Sequence, residues 1–208
     1  MPSHFYLPVS GKVCNFASSN SIKEVNNKKI EPSGRTLVTE DSSEEMFPVV
    51  DEEGNIIDAM TRGEAHCGTK RLHPVVHLHV YNSQGALYLQ QRADWKEVQP
   101  GRWDTAMGGH VDLGESVSEA LAREAYEEIG LHQGAYEPRL LKKYVYESKI
   151  ERELVYIYTT VYDGVLSPSV TETKGGRFWT TEELQTNMCH GVFTPMFEQE
   201  YPMLQSAN

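Results

Sequence analysis

Three cysteines, Cys14, Cys67 and Cys189, are too few and too far apart to staple a small fold or to frame a structural zinc site. They read as reduced thiols in a cytosolic protein. Long apolar runs are also missing. No stretch approaches the roughly 20 residues that span a bilayer, and no apolar segment follows a basic start as in a secretory leader. No membrane partner is expected. Positive charge is scarce: 19 Lys and Arg stand against 30 Asp and Glu, a formal net charge of -11. Such a chain lacks the broad basic surface that grips nucleic acid. A phosphate ligand would be met by local Arg or Lys, by backbone N–H groups or by metal ions. Internal repeats and heptads are absent too.

What is present is ordinary globular material. Hydrophobic residues make up 39% of the 208, enough for a sizeable core. Residues 1–45 stand apart. "NFASSNSIKEVNNKKIEPSGR" is polar and aperiodic, which suits a mobile or loosely docked arm. Packing of that arm on a second subunit, in a homodimer, is the other arrangement it allows. From Met46 the pattern tightens into strand, turn, strand ("MFPVV", "DEEGN", "IIDAMTR"). "HPVVHLHVY" and "ALYLQQR" flank the turn "NSQG" as a hairpin. Further strands are expected at "RLLKKYVYE", "ELVYIYTTVYDG" and "RFWTT". A helix opens at "TEELQTN" with Thr181 as its cap, and a last helix follows at "TPMFEQEYPML". Strands and helices mix without regular alternation, so the expected class is α/β with a mixed sheet and helices packed on it.

The informative stretch is "GGHVDLGESVSEALAREAYEEIGL", residues 108 to 131. Ser116 and Glu119 form a capping-box pair, and Gly130 is a natural helix stop. At about 100° per residue, Glu124, Glu127 and Glu128 share one face. Val117, Ala120 and Leu121 lie in the same sector, so the acidic face continues the apolar one. Glu119, Arg123 and Tyr126 fall on the outer side, with Glu119 and Arg123 spaced to pair. Carboxylates on a partly buried face repel one another and are costly to desolvate. They must take up protons, recruit basic partners or bind a cation. Mg²⁺ suits an all-oxygen donor set, and it completes its shell with water and substrate phosphate.

The spacing resembles the Nudix box. Gly109, Glu115, Arg123, Glu124, Glu127, Glu128 and Gly130 occupy all of its fixed positions, followed by the aliphatic Leu131. At usual residue frequencies a chance match anywhere in the chain is on the order of one in a million. Ala125 is a small residue at an aliphatic position. "PGRWDTAMGGHVDLGE", "VDEEGNIIDAMTRGEAH" and "LYLQQRADWK" are similar to a subgroup related to isopentenyl diphosphate isomerases. The resemblance covers most of residues 46–205. It implies an α/β/α sandwich of Nudix type, and Mg²⁺-dependent (alternatively Mn²⁺-dependent) hydrolysis of a small-molecule diphosphate, such as a nucleoside diphosphate linked to a further group X. It implies metal ligation by Glu124, Glu127, Glu128 and the Gly109 carbonyl, and a Glu115–Arg123 salt bridge. Related isomerases carry a cysteine just before the Gly-His pair. Here that position is Gly108, so hydrolysis is favoured over isomerisation.

Candidate proton acceptors are Glu127, Glu128 and, on the loop "SVTETKGG", Glu172. Arg92, Lys96, Arg102 and His110 are candidate substrate contacts. His73, His77 and His79 alternate along one strand face; hydrogen-bonded histidines are expected there rather than a zinc site. Trp95, Trp103 and the tyrosines of 144–162 read as core. A sensing module that binds a diphosphate without turnover is the competing function, and such modules often lose a fixed glutamate. None is lost here.

Overall fold

The computed structural model describes residues 44–96 and 98–206. The N-terminal arm therefore lies, up to residue 43, outside the described residues, as does Cys14. Cys67 and Cys189 are free and exposed. The described chain runs β1 (Met46–Val50), β2 (Ile56–Thr61), α1 (Arg62–Ala65), β3 (Leu72–Tyr81), β4 (Leu87–Arg92), β5 (Trp103–Asp104), β6 (Met107–His110) and α2 (Val117–Ile129). It continues with β7 (Arg139–Glu147), β8 (Arg152–Val161), β9 (Thr173–Trp179), α3 (Thr181–Asn187) and α4 (Pro195–Gln205).

One sheet is a separate β1–β2 hairpin. The other has the order β5-β4-β3-β8-β7, with β6 also paired to β3 and β9 to β4. β3 and β8 are parallel and the remaining pairs antiparallel, so the sheet is mixed. β3 is central and buried on both faces, and strand alternation assigns its side chains. Val76, Leu78 and Val80 pack with Ala120, Leu121, Ala125 and Ile129 of α2. Val75 packs on the other face with Leu184, Phe193, Phe197, Tyr201 and Leu204 of the α3–α4 layer. The architecture is the three-layer α/β/α arrangement.

Local chemistry sets the helix ends. Ser116 and Glu119 close a capping box at the start of α2, and Gly130 ends it in the left-handed region at φ 68°. The cap of α3 is Thr180, not Thr181, because Glu183 is the residue three positions on that can return the bond. Thr194 caps α4 and Pro195 occupies its first turn. β9 begins earlier than the sequence pattern indicated, at Thr173, because pairing with β4 extends it across two glycines that carry no strand signal.

The β3–β4 hairpin opens immediately. The two strands pair only at Val80–Tyr88 and Tyr81–Leu87. Beyond that, β6 takes the edge of β3 from Val75 to Leu78, while β5 takes β4 at Gln90 and Gln91. A polar clasp closes the α4 side of this region. Glu200 of α4, fully buried, accepts hydrogen bonds from His77 Nδ1, His79 Nε2 and Tyr144 Oη, each at 2.8 Å. The strand histidines at 77 and 79 are thus both hydrogen-bonded to Glu200. Burial by itself would lower the His77 pKa, but the Glu200 carboxylate outweighs it and raises the value to about 9.

Replacing Glu200 with Ala strands three donors and is expected to cost about 3–5 kcal/mol of unfolding free energy in denaturant titration. A loss below about 1 kcal/mol would show that the clasp does not hold α4. Because the folded His77 value lies above the free imidazole's 6.5, its contribution is complete below that pH and drains away as pH rises through about 9. Glu200→Gln should flatten that alkaline loss of stability.

Candidate functional site

α2 packs its apolar half on β3 and carries its acidic half to the place where β3 and β4 part. Glu124 rests directly on the backbone of Gly109: a Cβ there would lie 2.0 Å from the Glu124 carboxyl carbon. Glu128 accepts from Gln90 Nε2 at 2.9 Å and from the Gly108 N–H. Burial, reinforced by the Glu124 charge, pushes Glu128 up to about 8. Burial likewise pushes Glu124 up to about 7, against the pull of Arg123. Glu127 differs from its two neighbours, with 58% of its side chain exposed at the rim. The acidic face is therefore two half-buried carboxylates and one exposed.

Arg123 lies on the inner flank of the helix, not on the outer side opposite Glu119. Glu119 is committed to the capping box. Arg123 instead grips Glu115 through two bonds, Nε to Oε1 at 2.9 Å and Nη2 to Oε2 at 2.8 Å. It also donates to the His110 carbonyl at 3.0 Å and to Glu124 at 2.8 Å. One guanidinium thus pins the 110–115 loop to the helix and orients Glu124.

The loop 162–172 closes the other side. Ser169 N donates to the Glu128 carbonyl at 2.7 Å, and Ser167 N to that of Ile129 at 2.9 Å. This brings Glu172 to the cleft, where its charge acts on Glu128. Lys96 forms a hydrogen-bonded ion pair with Glu172. Arg92 is occupied by the Val98 carbonyl and Asp104, and Arg102 by the Phe193 carbonyl. Arg92 thus braces its own loop, and Arg102 ties that loop to the segment before α4.

His110 does not face the acidic cleft. Strand alternation decides this: Gly109 points to α2, so Gly108 and His110 point to the opposite face. There His110 stacks on Phe47, with ring centroids 4.4 Å apart, and meets His73 and Glu153. The ligand atoms of His73, His110 and Glu153 lie within 4.8 Å of one another. His73 Nε2, His110 Nε2 and Glu153 Oε2 are all buried without a hydrogen-bond partner. Burial lowers both imidazoles and raises Glu153 to about 8. Neutral imidazole nitrogens beside a carboxylate are a donor set that can hold a divalent ion. Sequence reasoning missed this cluster. Its only linear trace is that β3 and β8 run parallel in a register pairing His73 with Glu153.

Trp95 also departs from expectation. It is 64% exposed, whereas Trp103 and Trp179 pack edge to face at 5.1 Å. Its turn leaves the sheet before any hydrophobic layer can cover it.

The sequence profile of the NUDIX domain matches residues 71–197, more than half of the chain. The chain belongs to the NUDIX family. An uncharacterised Nudix hydrolase of Streptomyces coelicolor is 30% identical over 169 residues, covering 79% of this chain and 91% of that one. An isopentenyl-diphosphate Delta-isomerase of Photorhabdus laumondii is 29% identical over 160 residues, covering 74% and 90%. Among solved structures, a Deinococcus radiodurans protein superposes with a TM-score of 0.67 at 24% identity, covering 78% of this chain and 99% of that one. A MutT protein from Methanosarcina mazei gives 0.57 at 19%, covering 66% and 96%. These two structural likenesses speak for the fold. No helix among the described residues is long and apolar enough to cross a membrane.

The chain's NUDIX helix makes a sharp demand on Gly109. Gly109→Ala should displace the Glu124 carboxyl and weaken Mg²⁺ or Mn²⁺ binding at least about tenfold, the size of effect typical when metal-site support is disturbed. Calorimetric metal titration beside a thermal melt would check this. Unchanged affinity in a folded variant would place the ion elsewhere.

Proposed function

We propose that this chain hydrolyses the diphosphate bond of a nucleoside diphosphate linked to a further group, or of a related small organic diphosphate. The ion would be Mg²⁺, with Mn²⁺ as a substitute, held by Glu124, Glu127, Glu128 and the Gly109 carbonyl. Family membership and the acidic cleft support diphosphate hydrolysis in general; the substrate class is our inference.

The observation that carries this reading is the pair of half-buried carboxylates on α2. Burial raises both pKa values, and the side-chain charges acting most on Glu128 are Glu124 and Glu172, both negative. An all-oxygen set in need of positive charge fits a hard dication. When bound, such an ion polarises phosphate oxygens and lowers the pKa of a water. The remaining work falls to the chain. Arg123 and Glu115 fix the loop that carries the Gly109 carbonyl. Gln90 and the Gly108 N–H hold Glu128. Glu128 is one candidate proton acceptor in the cleft. Glu127 at the rim and Glu172 on its loop are the other acceptors. Lys96 stands beside Glu172 at the mouth, as a point charge for a phosphate oxygen.

Resemblance to isopentenyl-diphosphate Delta-isomerases raises a second reading. Gly108 weighs against it. That position offers no side-chain proton donor, and a Cβ there would stand 3.1 Å from the His77 ring. A sensing module without turnover is disfavoured because every fixed glutamate is present.

Glu128→Gln is expected to lower Mg²⁺-dependent kcat by about 100-fold or more while leaving the melting temperature unchanged. A panel of diphosphates, read by released phosphate or monophosphate, supplies the assay. Near-normal turnover would remove Glu128 from the mechanism. Silence across the panel with metal still bound would favour the sensor.

A further inference from the structure

Trp95 is the most exposed large aromatic among the described residues, and its surroundings give it a use. Its two chain neighbours are both tied across to the β9 strand and the loop before it. Asp94 pairs with Lys174 at 3.0 Å, and Lys96 pairs with Glu172. The turn carrying the ring is therefore anchored on residues 172 and 174, not swinging free. Glu172 in turn belongs to the cleft: its charge acts on Glu128, and its loop is bonded to the Glu128 backbone through Ser169. The ring thus sits on a turn that is tied, through Lys96 and Glu172, to the loop bonded to the Glu128 backbone.

Lys96 Nζ lies 4.8 Å from the Trp95 ring centroid, a cation–π contact that takes one face of the indole. The residue is 64% exposed, so most of the indole is left in water. An exposed indole beside an ammonium, on a turn tied to the carboxylate-lined site, matches the layout of a nucleotide: a flat base, a short spacer and a charged diphosphate. Base–aromatic stacking needs only one free face. A prenyl chain needs an enclosing apolar groove, whereas Trp95 is left largely exposed. A cavity of about 550 Å³ lies elsewhere, by the β3–β4 turn, where polar Asn82, Arg139 and Thr160 mix with apolar Tyr81, Leu141 and Leu204.

We propose that Trp95 is a specificity-determining platform on which the planar base of a nucleoside diphosphate substrate stacks, selecting nucleotides over isoprenoid diphosphates. This rests on the hydrolase reading for its kinetic test but not for its binding test.

The kinetic test compares the full-length protein with Trp95→Ala and Trp95→Phe on ADP-ribose and on isopentenyl diphosphate. The alanine variant should raise KM for ADP-ribose about tenfold to a hundredfold, with kcat within about threefold. The phenylalanine variant should recover most of the loss, and any turnover of isopentenyl diphosphate should not change. The binding test uses the intrinsic fluorescence of the three tryptophans. ADP should quench it, inorganic pyrophosphate should not, and Trp95→Phe should abolish the quenching. Equal KM values for wild type and Trp95→Ala, or ADP quenching that survives in Trp95→Phe, overturn the platform. An inactive protein whose Trp95 is still quenched by ADP sinks the hydrolase and keeps the platform. An active one whose nucleotide KM ignores Trp95 does the reverse.

Discussion

Two half-buried carboxylates one helical turn apart are costly, and the surrounding structure is arranged to tolerate them. Glu124 and Glu128 sit at the end of an apolar stripe that must pack on β3, so the helix cannot rotate them into water without exposing Leu121 and Ile129. Gly109 leaves room for one carboxyl; Gln90 and the Gly108 N–H bond to the other. Arg123 supplies a nearby positive charge, but it is divided among Glu115, Glu124 and Glu127. Burial still dominates and holds both groups above the ordinary carboxylate range. Desolvated negative charge with only partial compensation is the condition under which a dication adds most.

The early parting of β3 and β4 is the second constraint. Had the hairpin zipped fully, β4 would have covered the edge that β6 occupies, and no glycine pair could have reached the helix. With β6 in place, Gly108 and Gly109 present opposite faces of one strand to two polar groups. Glu124 lies against one, and His77 against the other. Beyond His77, His73, His110 and Glu153 form the metal-capable cluster on the face away from α2. The sheet is only one backbone thick between the acidic site and the histidine face.

α4 contributes to this through Glu200. A glutamate without exposure would be intolerable alone; with two imidazoles and a phenol donating to it, it becomes a tie between α4, β3 and β7. The tie fixes the His77 ring against Gly108, the residue whose N–H holds Glu128. A residue near the C-terminus is thereby connected, contact by contact, to the carboxylates of α2.

The residues of 108–131 determined by themselves that there would be a helix from Val117 to Ile129, where it would stop, and which face would carry the glutamates. Capping and the 3.6-residue period are local, so they survive any choice of partner. The mixed sheet was legible for a similar reason, in the alternating β-branched and aromatic runs. Other features were decided only in three dimensions. Glu153 meets His73 because strands some 80 residues apart pair in parallel register. His110 turns from the cleft because Gly109 must face it. Trp95 stays in water because its turn runs past the edge of every hydrophobic layer. Each of these depends on which distant element arrives alongside, and short-range periodicity carries no record of that.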